Sequence, residues 1–274
     1  MLSTRVKAAL VFVPLVLILI YIGGIPFNGF ITLLLLAAGF EYARLFSRIN
    51  KNPSNHIILL PGILIFALQR WFFPGQYLDL VLTVVILLAA VAALVQYERG
   101  LNQAAQSFTA LMTGILYIGW VGSFFISLRE MPYGRGWLLT ALPSVWLADC
   151  GAYFIGRWKG KKKMTPRLSP GKTWAGLIGA VLTGTASGPL LVWLWRSIHW
   201  LPPQTPLWQG ALMGLVLAVL TPIGDLLISL FKRTAGMKDT GNLIPGHGGI
   251  LDRIDTWIWA AMLGYYLVAL FTYR

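Results

Sequence analysis

The chain has 274 residues, of which 57% are hydrophobic and only 11% are charged, with a formal net charge of +13 and a single cysteine. A soluble domain is usually about a quarter charged, so this composition excludes an ordinary soluble enzyme, a disordered chain and a disulfide-stabilised secreted domain. It predicts an all-α, polytopic integral membrane protein.

Apolar stretches long enough to cross a bilayer recur along the whole chain. A helical span needs roughly 20 mostly apolar residues, and the alternating pattern typical of a membrane β-barrel is not found. We therefore predict about nine transmembrane helices, or eight if the third stretch, which contains Pro61 and Gly62, does not span. The predicted spans are Ala8–Ile25, Phe27–Leu45, Ile57–Phe73, Leu78–Val95, Ala110–Leu128, Trp137–Ile155, Thr173–Trp195, Trp208–Phe231 and Thr256–Tyr273.

The first apolar stretch follows Arg5 and Lys7, as the hydrophobic region of a signal peptide would. We find no convincing small-residue cleavage site after it, and a second span begins at once. The pattern therefore favours an uncleaved membrane anchor.

The basic residues are distributed unevenly between the two sides of the predicted membrane. With nine spans and a cytoplasmic N-terminus, seventeen of the 22 basic residues lie in cytoplasmic segments. The five on the other side are Arg70, Arg129, Arg135, Arg196 and Arg274. Such a bias is what the positive-inside rule predicts, so the positive charge reflects topology and no nucleic-acid partner is expected.

No polar stretch is long enough to fold as a soluble domain. The longest two, residues 156–172 and 232–255, both lie on the predicted cytoplasmic side. We predict an N-terminal membrane region, residues 1–109, with about four spans, and a second membrane region, residues 110–274, that contains both loops.

The first polar stretch follows Asp149, near the cytoplasmic end of the sixth predicted span. Its Gly171-Lys172-Thr173 sequence invites comparison with a phosphate-binding P-loop, but Pro166 occupies the upstream glycine position and a membrane span precedes it. The lysines at 161–163 are better explained by topology and lipid headgroups. Ser169, Lys172 and Thr173 are expected to open the seventh span, where free backbone N–H groups help to bind an anion.

The second polar stretch concentrates the acidic residues. Asp225, Ser229 and Lys232 follow helical spacing and share one helix face, as do Asp252 and Asp255 at the start of the last span. The loop between them is rich in Gly and Pro, which allows backbone N–H groups to approach an anion. Carboxylates among lysines and arginines suit a divalent cation bound with a polyphosphate. A cytoplasmic connector with no chemistry would leave this acidic cluster unexplained.

The same stretch resembles the motif of the phosphatidate cytidylyltransferase (CDP-diacylglycerol synthase) family. That motif is Ser, two residues, Lys-Arg, four residues, Lys-Asp, then Pro-x-His-Gly-Gly and Asp-Arg-x-Asp, and residues 229–255 contain every position of it. Residues 149–156 and 169–173 resemble upstream elements of the family. Length and number of spans are also similar, whereas the first hundred residues match only in being hydrophobic.

The resemblance implies transfer of a cytidylyl group from CTP to phosphatidic acid, giving CDP-diacylglycerol and pyrophosphate in phospholipid biosynthesis. It implies Mg²⁺, possible binding of a second cation, a multi-pass location in the inner membrane with a cytoplasmic active site, contact with membrane lipids, and a homodimer. Residues 110–274 would then be the catalytic region. By the resemblance, Asp225 and Asp252 are metal ligands with Asp149 as support or a further ligand, and Lys232, Asp239 and Asp255 belong to the catalytic set. The implied substrate-binding residues are Ser169, Lys172, Thr173, Ser229, Arg233, Lys238, His247 and Arg253.

Three positions depart from the family pattern: Ala175 replaces an acid found in many members, Ile228 replaces a polar residue and Thr256 replaces a common serine. None of them removes an implied metal ligand. Three alternative functions remain open from sequence. They are an ion-coupled transporter that uses Asp149 and Asp225, cytidylyl transfer to another lipid phosphate, and a non-enzymatic membrane scaffold.

Overall fold

The computed structural model describes residues 2–50, 56–241 and 248–272, with side chains for 12–49, 56–241 and 248–272. Within these ranges the chain forms helices and one short β-hairpin, which confirms an all-α, polytopic membrane fold. The helices are α1 (Leu2–Ile22), α2 (Gly24–Asn50), α3 (His56–Phe72), α4 (Leu78–Glu98), α5 (Ala104–Gly114), a π-helical segment (Ile115–Val121), α6 (Phe124–Glu130), α7 (Gly134–Lys159), α8 (Trp174–Ser197), α9 (Leu207–Leu220), α10 (Pro222–Thr234) and α11 (Leu251–Thr272). The strands are β1 (Lys163–Thr165) and β2 (Ser169–Thr173).

Each of the nine predicted spans coincides with helical structure. Among the described residues, seven helical segments are long and apolar enough to cross a membrane: Gly24–Ile49, Leu78–Glu98, Ala104–Glu130, Gly134–Lys159, Trp174–Ser197, Leu207–Thr234 and Leu251–Thr272. Two further apolar helices, Phe12–Ile22 and His56–Phe72, are shorter. A count of nine spans and a cytoplasmic N-terminus therefore stay predictions.

The eighth predicted span, Trp208–Phe231, is formed by two helices. α9 ends at Leu220 and α10 begins at Pro222, because proline lacks the backbone N–H that would continue a helix but is well suited to the first position of a new one. The hydroxyl of Thr221, between them, donates to the carbonyl of Leu217 at 2.8 Å. This break places Asp225 in the first turn of α10.

The β-hairpin corrects one prediction. Strands β1 and β2 pair antiparallel, with Lys163 opposite Thr173 and Thr165 opposite Ser169. Ser169 and Lys172 therefore lie on a strand, and the expectation that they open the seventh span is wrong, because Pro170 and Gly171 disfavour helix there. Helix α8 begins only at Trp174, and Thr173 caps it by accepting the N–H of Gly176 at 3.0 Å.

The chain divides into two compact units, which are described separately. The first unit comprises Met1–Ser127 and Phe231–Arg253, and the second comprises Leu128–Leu230 and Ile254–Arg274. Most of the second predicted loop, residues 232–255, thus belongs with the N-terminal helices. The predicted division into an N-terminal membrane region, residues 1–109, and a catalytic region, residues 110–274, stays a prediction. The compact units do not show which residues are catalytic.

The core of the first unit lies between α2, α3 and the π-helical segment. Tyr42, Phe66 and Ile118 are almost completely buried there. The Tyr42 hydroxyl donates to the carbonyl of Ala110 at 2.9 Å, which satisfies its polar group inside the core. The ring of Tyr42 also packs against Phe46 and Phe231.

In the second unit, α8 packs between α7 and α9, and glycines line the α8–α9 contact. A Cβ added to Gly188 would clash with the carbonyl oxygen of Gly210, and one added to Gly214 would clash with that of Gly184. Small residues at this spacing allow membrane helices to approach each other closely, with backbone packed on backbone.

We expect Gly188→Ala to destabilise the protein by about 1–3 kcal/mol, the usual cost of forcing extra volume into a close-packed contact. Gly29→Ala is the matched control, since Gly29 also lies in a helix but its added Cβ would meet no atom within 4 Å other than the nearby backbone of its own helix. Thermal unfolding in detergent should show a lower Tm for Gly188→Ala and no loss for Gly29→Ala. Equal stability of the two variants would contradict the packing argument.

Candidate active site

Predicted site residues contact one another in two polar clusters. Each cluster lies within one of the two units. The Asp225 cluster, in the second unit, consists of Asp149, Lys172, Asp225 and Ser229. The Asp252 cluster, in the first unit, consists of Glu41, Lys232, Thr240, Gly249 and Asp252.

The Asp225 cluster is built on the first turn of α10. The Nζ atom of Lys172 lies 2.8 Å from Oδ2 of Asp225, and it also donates to the carbonyl of Pro222 at 3.2 Å. Ser229, one turn further along α10, donates from Oγ to Oδ1 of Asp225 at 3.3 Å. The side chains of Lys172 and Asp225 remain 22% and 34% exposed, so both can still reach an additional ligand.

Asp149 lies on α7 and is exposed. It is close enough to Lys172 and Asp225 to interact electrostatically with both. Lys172 therefore partly neutralises both carboxylates. Two carboxylates beside one lysine form a region where a cation and an anionic group can bind side by side.

Local structure explains how Lys172 reaches this position. Strand β2 ends at Thr173, whose buried hydroxyl caps α8, so the residue before the cap is held at the base of the hairpin. Gly160 permits this arrangement, because a Cβ there would lie 2.6 Å from the Thr173 hydroxyl. The Thr173 hydroxyl thus has a structural partner, and its predicted contact with substrate stays a prediction.

In the Asp252 cluster, a nearly buried carboxylate faces four hydrogen-bond donors. Oδ1 of Asp252 accepts from Nζ of Lys232 at 2.6 Å. Oδ2 accepts from the backbone N–H of Thr240 at 2.8 Å, from its hydroxyl at 3.0 Å and from the N–H of Gly249 at 3.2 Å. Side-chain exposure is 5% for Asp252 and 14% for Lys232, so the pair is shielded from solvent and strongly coupled.

Glu41 was not among the predicted site residues. Its carboxylate, on α2, is 1% exposed and accepts hydrogen bonds from the Thr240 hydroxyl at 3.0 Å and from the backbone N–H groups of Ile250 and Leu251 at 3.0 and 2.9 Å. The sequence did contain one signal: an acidic residue within an apolar membrane segment is costly and usually has a specific partner. The identity of that partner depends on tertiary structure.

Gly249 of the Asp252 cluster and its neighbour Gly248 have different physical roles. Gly248 adopts φ +84°, a left-handed conformation that residues with a side chain rarely accept. Gly249 is needed for space, because an added Cβ would clash with the Thr240 hydroxyl and the Glu41 carboxylate. The Gly-Gly pair thus allows the backbone to turn and then pack against two acidic side chains.

Six further predicted site residues are described but are not members of either cluster as defined above. Arg233, Lys238, Asp239 and Arg253 are exposed, and Ser169 is half-buried on β2. Asp255 is 6% exposed, and its Oδ1 accepts the N–H of Thr256 at 2.7 Å. His247 lies outside the described residues, so its predicted role stays a prediction.

The donor set of the Asp225 cluster fits magnesium. Mg²⁺ is usually held by one or two carboxylates together with water and substrate phosphate oxygens, and Asp225 and Asp149 are two neighbouring carboxylates on residues that are not fully buried. In the described part of the chain, no group of three or more His, Cys, Asp or Glu side chains is arranged to hold a metal by itself. Asp252 fits less well, because a metal would have to compete with Lys232 and three further donors for its oxygens.

Known proteins are similar to this chain along most of its length. A profile described as the cytidylyltransferase family matches residues 3–271. A phosphatidate cytidylyltransferase of Bacillus subtilis is 33% identical, covering 98% of this chain and 97% of the relative. Proteins of the same name from Brucella suis (33% identical, covering 98% and 94%) and Pseudomonas aeruginosa (34% identical, covering 93% of each) are similarly close.

Proposed function

The chain belongs to the cytidylyltransferase family, and on that premise we propose that it transfers the cytidylyl group of CTP to phosphatidic acid. A phosphate oxygen of the lipid attacks the α-phosphorus of CTP and forms a new P–O bond. The bond between the α-phosphorus and the bridging oxygen breaks, and pyrophosphate leaves. CDP-diacylglycerol is the lipid product.

The observation that carries this proposal is the Lys172–Asp225 pair at the start of α10. The pair joins a carboxylate suited to a hard cation with an ammonium group suited to phosphate, 2.8 Å apart and both partly exposed. Phosphoryl and nucleotidyl transfer depend mainly on positioning and charge neutralisation, and this cluster offers groups for both.

We assign the cation site to Asp225, with Asp149 as its support. Magnesium, when bound there, would supply charge neutralisation for the phosphate oxygens. Lys172 orients Asp225 through their ion pair, and Ser229 fixes the other carboxylate oxygen by its hydrogen bond. We propose one cation at these residues, and the second cation that the resemblance implies is assigned to Asp252.

We assign the remaining charged residues to binding of the two anionic substrates. Lys232 is oriented by Asp252 and can contribute charge to a phosphate group. The exposed basic residues Arg233, Lys238 and Arg253 are proposed to attract the triphosphate and the lipid phosphate. Asp239, Asp255 and His247 complete the proposed set, with roles that follow only from the family motif.

The solubility of the two substrates determines where in the membrane the active site must lie. CTP is water-soluble, whereas phosphatidic acid keeps its acyl chains in the bilayer, so transfer must occur at the membrane surface. The bias of basic residues toward one side supports the cytoplasmic face, and the bacterial relatives support the inner membrane. A homodimer remains part of the proposal.

The test is an assay of detergent-purified protein with radiolabelled CTP, phosphatidic acid and Mg²⁺, with and without EDTA. We expect label in a lipid product, and we expect EDTA to abolish that label because the phosphate charges are no longer neutralised. Label with another lipid phosphate, and none with phosphatidic acid, would change the acceptor. No product from any lipid phosphate, in folded and lipid-supplied protein, would contradict cytidylyl transfer.

A further inference from the structure

The proposed reaction leaves one buried carboxylate unused. Glu41 lies on α2, almost completely buried within the first unit, yet its hydrogen-bond donors lie 199 to 210 residues further along the chain. Burial of a carboxylate is costly unless strong hydrogen bonds compensate for the lost water. The hydrogen-bond donors of Glu41 therefore explain how its carboxylate can be buried, and they indicate which segments it holds in place.

Those donors belong to two short segments on either side of residues 242–247. On one side is the hydroxyl of Thr240, and on the other are the backbone N–H groups of Ile250 and Leu251, where α11 begins. The first N–H groups of a helix have no partner within the helix. Glu41 supplies that partner, and its negative charge also suits the positive end of the helix dipole.

Both segments are shaped to fit this carboxylate. A Cβ added to Gly241 would lie 2.5 Å from Oε1 of Glu41, and one added to Gly249 would clash with Oε2. Only glycine leaves room for the carboxylate at these two positions. Glu41 is therefore enclosed by backbone from both segments, as expected for a side chain around which they are ordered.

Thr240 connects Glu41 with Asp252. The Thr240 hydroxyl lies 3.0 Å from Oε2 of Glu41 and 3.0 Å from Oδ2 of Asp252. A hydroxyl has one proton and can donate it to only one acceptor at a time, so the two carboxylates share a single donor. Any displacement of Glu41 must therefore change the hydrogen bonding of Asp252, which also orients Lys232.

We propose that Glu41 is a positioning residue for cytidylyl transfer. It holds Thr240 and the first turn of α11, and through them it fixes the carboxylate of Asp252 and the ammonium group of Lys232. The inference rests on the proposed function for its catalytic consequence. The ordering of the two segments by Glu41 can be measured independently of that function.

The test compares Glu41→Gln with Tyr42→Phe, its neighbour on α2. Gln keeps the shape of Glu but replaces one acceptor oxygen by an NH₂ group, which would oppose either the N–H of Ile250 or the two donors of the other oxygen, Thr240 and Leu251. Phe removes a buried hydrogen bond that lies outside the Asp252 cluster. We expect Glu41→Gln to lower kcat by about 10- to 100-fold, as is usual when a group that orients active-site ligands is changed. Tyr42→Phe should retain kcat within about twofold.

Two further measurements complete the test, and the first of them does not depend on how well Glu41→Gln folds. Thr240→Val should reproduce the loss of kcat, and Thr240→Ser, which restores the hydroxyl, should recover it. Hydrogen–deuterium exchange should be faster in Glu41→Gln for peptides containing Thr240 and residues 248–252. Exchange elsewhere in the first unit should remain as in the wild type.

The outcomes separate this inference from the proposed function. Wild-type kcat in Glu41→Gln, or an equal loss in Tyr42→Phe, would overturn the positioning role while leaving cytidylyl transfer intact. Absence of cytidylyl transfer in the wild type would overturn the proposed function. In that case, unchanged exchange in Glu41→Gln would also overturn the ordering role, and faster exchange would support it.

Discussion

Replacement of Asp225 by Asn is expected to lower kcat for cytidylyl transfer by about 10²–10³-fold, the loss seen when one preorganised electrostatic contact in an active site is removed. Asn keeps the shape of the side chain and an acceptor for Ser229. It removes the charge that pairs with Lys172 and that we assign to the cation. The variant should also need more Mg²⁺ for half-maximal activity, which a titration of activity against Mg²⁺ concentration would measure.

Asp79→Asn is the matched control for this experiment. Asp79 is likewise an aspartate in the first turn of a membrane helix, α4, and it is exposed, but it belongs to neither polar cluster. Its substitution should leave kcat and the Mg²⁺ titration unchanged. If Asp225→Asn behaves like Asp79→Asn, Asp225 is not part of the cation site.

The sequence predicted the helices well because the bilayer restricts the possibilities so strongly. A run of about 20 apolar residues in a membrane must satisfy its own backbone hydrogen bonds, and helix does so locally. The break at Thr221 was missed because α9 and α10 together have the length and hydropathy of one span. The β1–β2 hairpin was missed because two short polar strands lack an apolar alternation that would reveal them.

The sequence predicted those contacts of the candidate site that join residues close together in the chain. Asp225, Ser229 and Lys232 were identified from helical spacing, and the Asp225–Ser229 hydrogen bond is the expected consequence. The pairing of Lys172 with Asp225, 53 positions apart, depends on how the hairpin and α10 are placed. Glu41 was missed for the same reason, since nothing in the composition of α2 specifies Thr240 as its partner.

The second large effect is expected at the buried Lys232–Asp252 pair. Asp252→Asn should lower turnover by about 100-fold, because the side chain that orients Lys232 loses its charge. It should also lower the free energy of unfolding by about 3 kcal/mol or more, since removal of one partner leaves the other charge buried and unpaired. Assays of turnover and thermal unfolding on the same preparation would give both values.

The double variant Lys232→Met/Asp252→Asn distinguishes a chemical role from a structural one. Removing both charges together relieves the unpaired ammonium group, so stability should recover by about 1–3 kcal/mol relative to Asp252→Asn, a coupling typical of residues in direct contact. Turnover should not recover, because the positive charge that we assign to a substrate phosphate is now absent. Recovery of turnover together with stability would show that the pair only holds the fold, and both residues would then be removed from the proposed site.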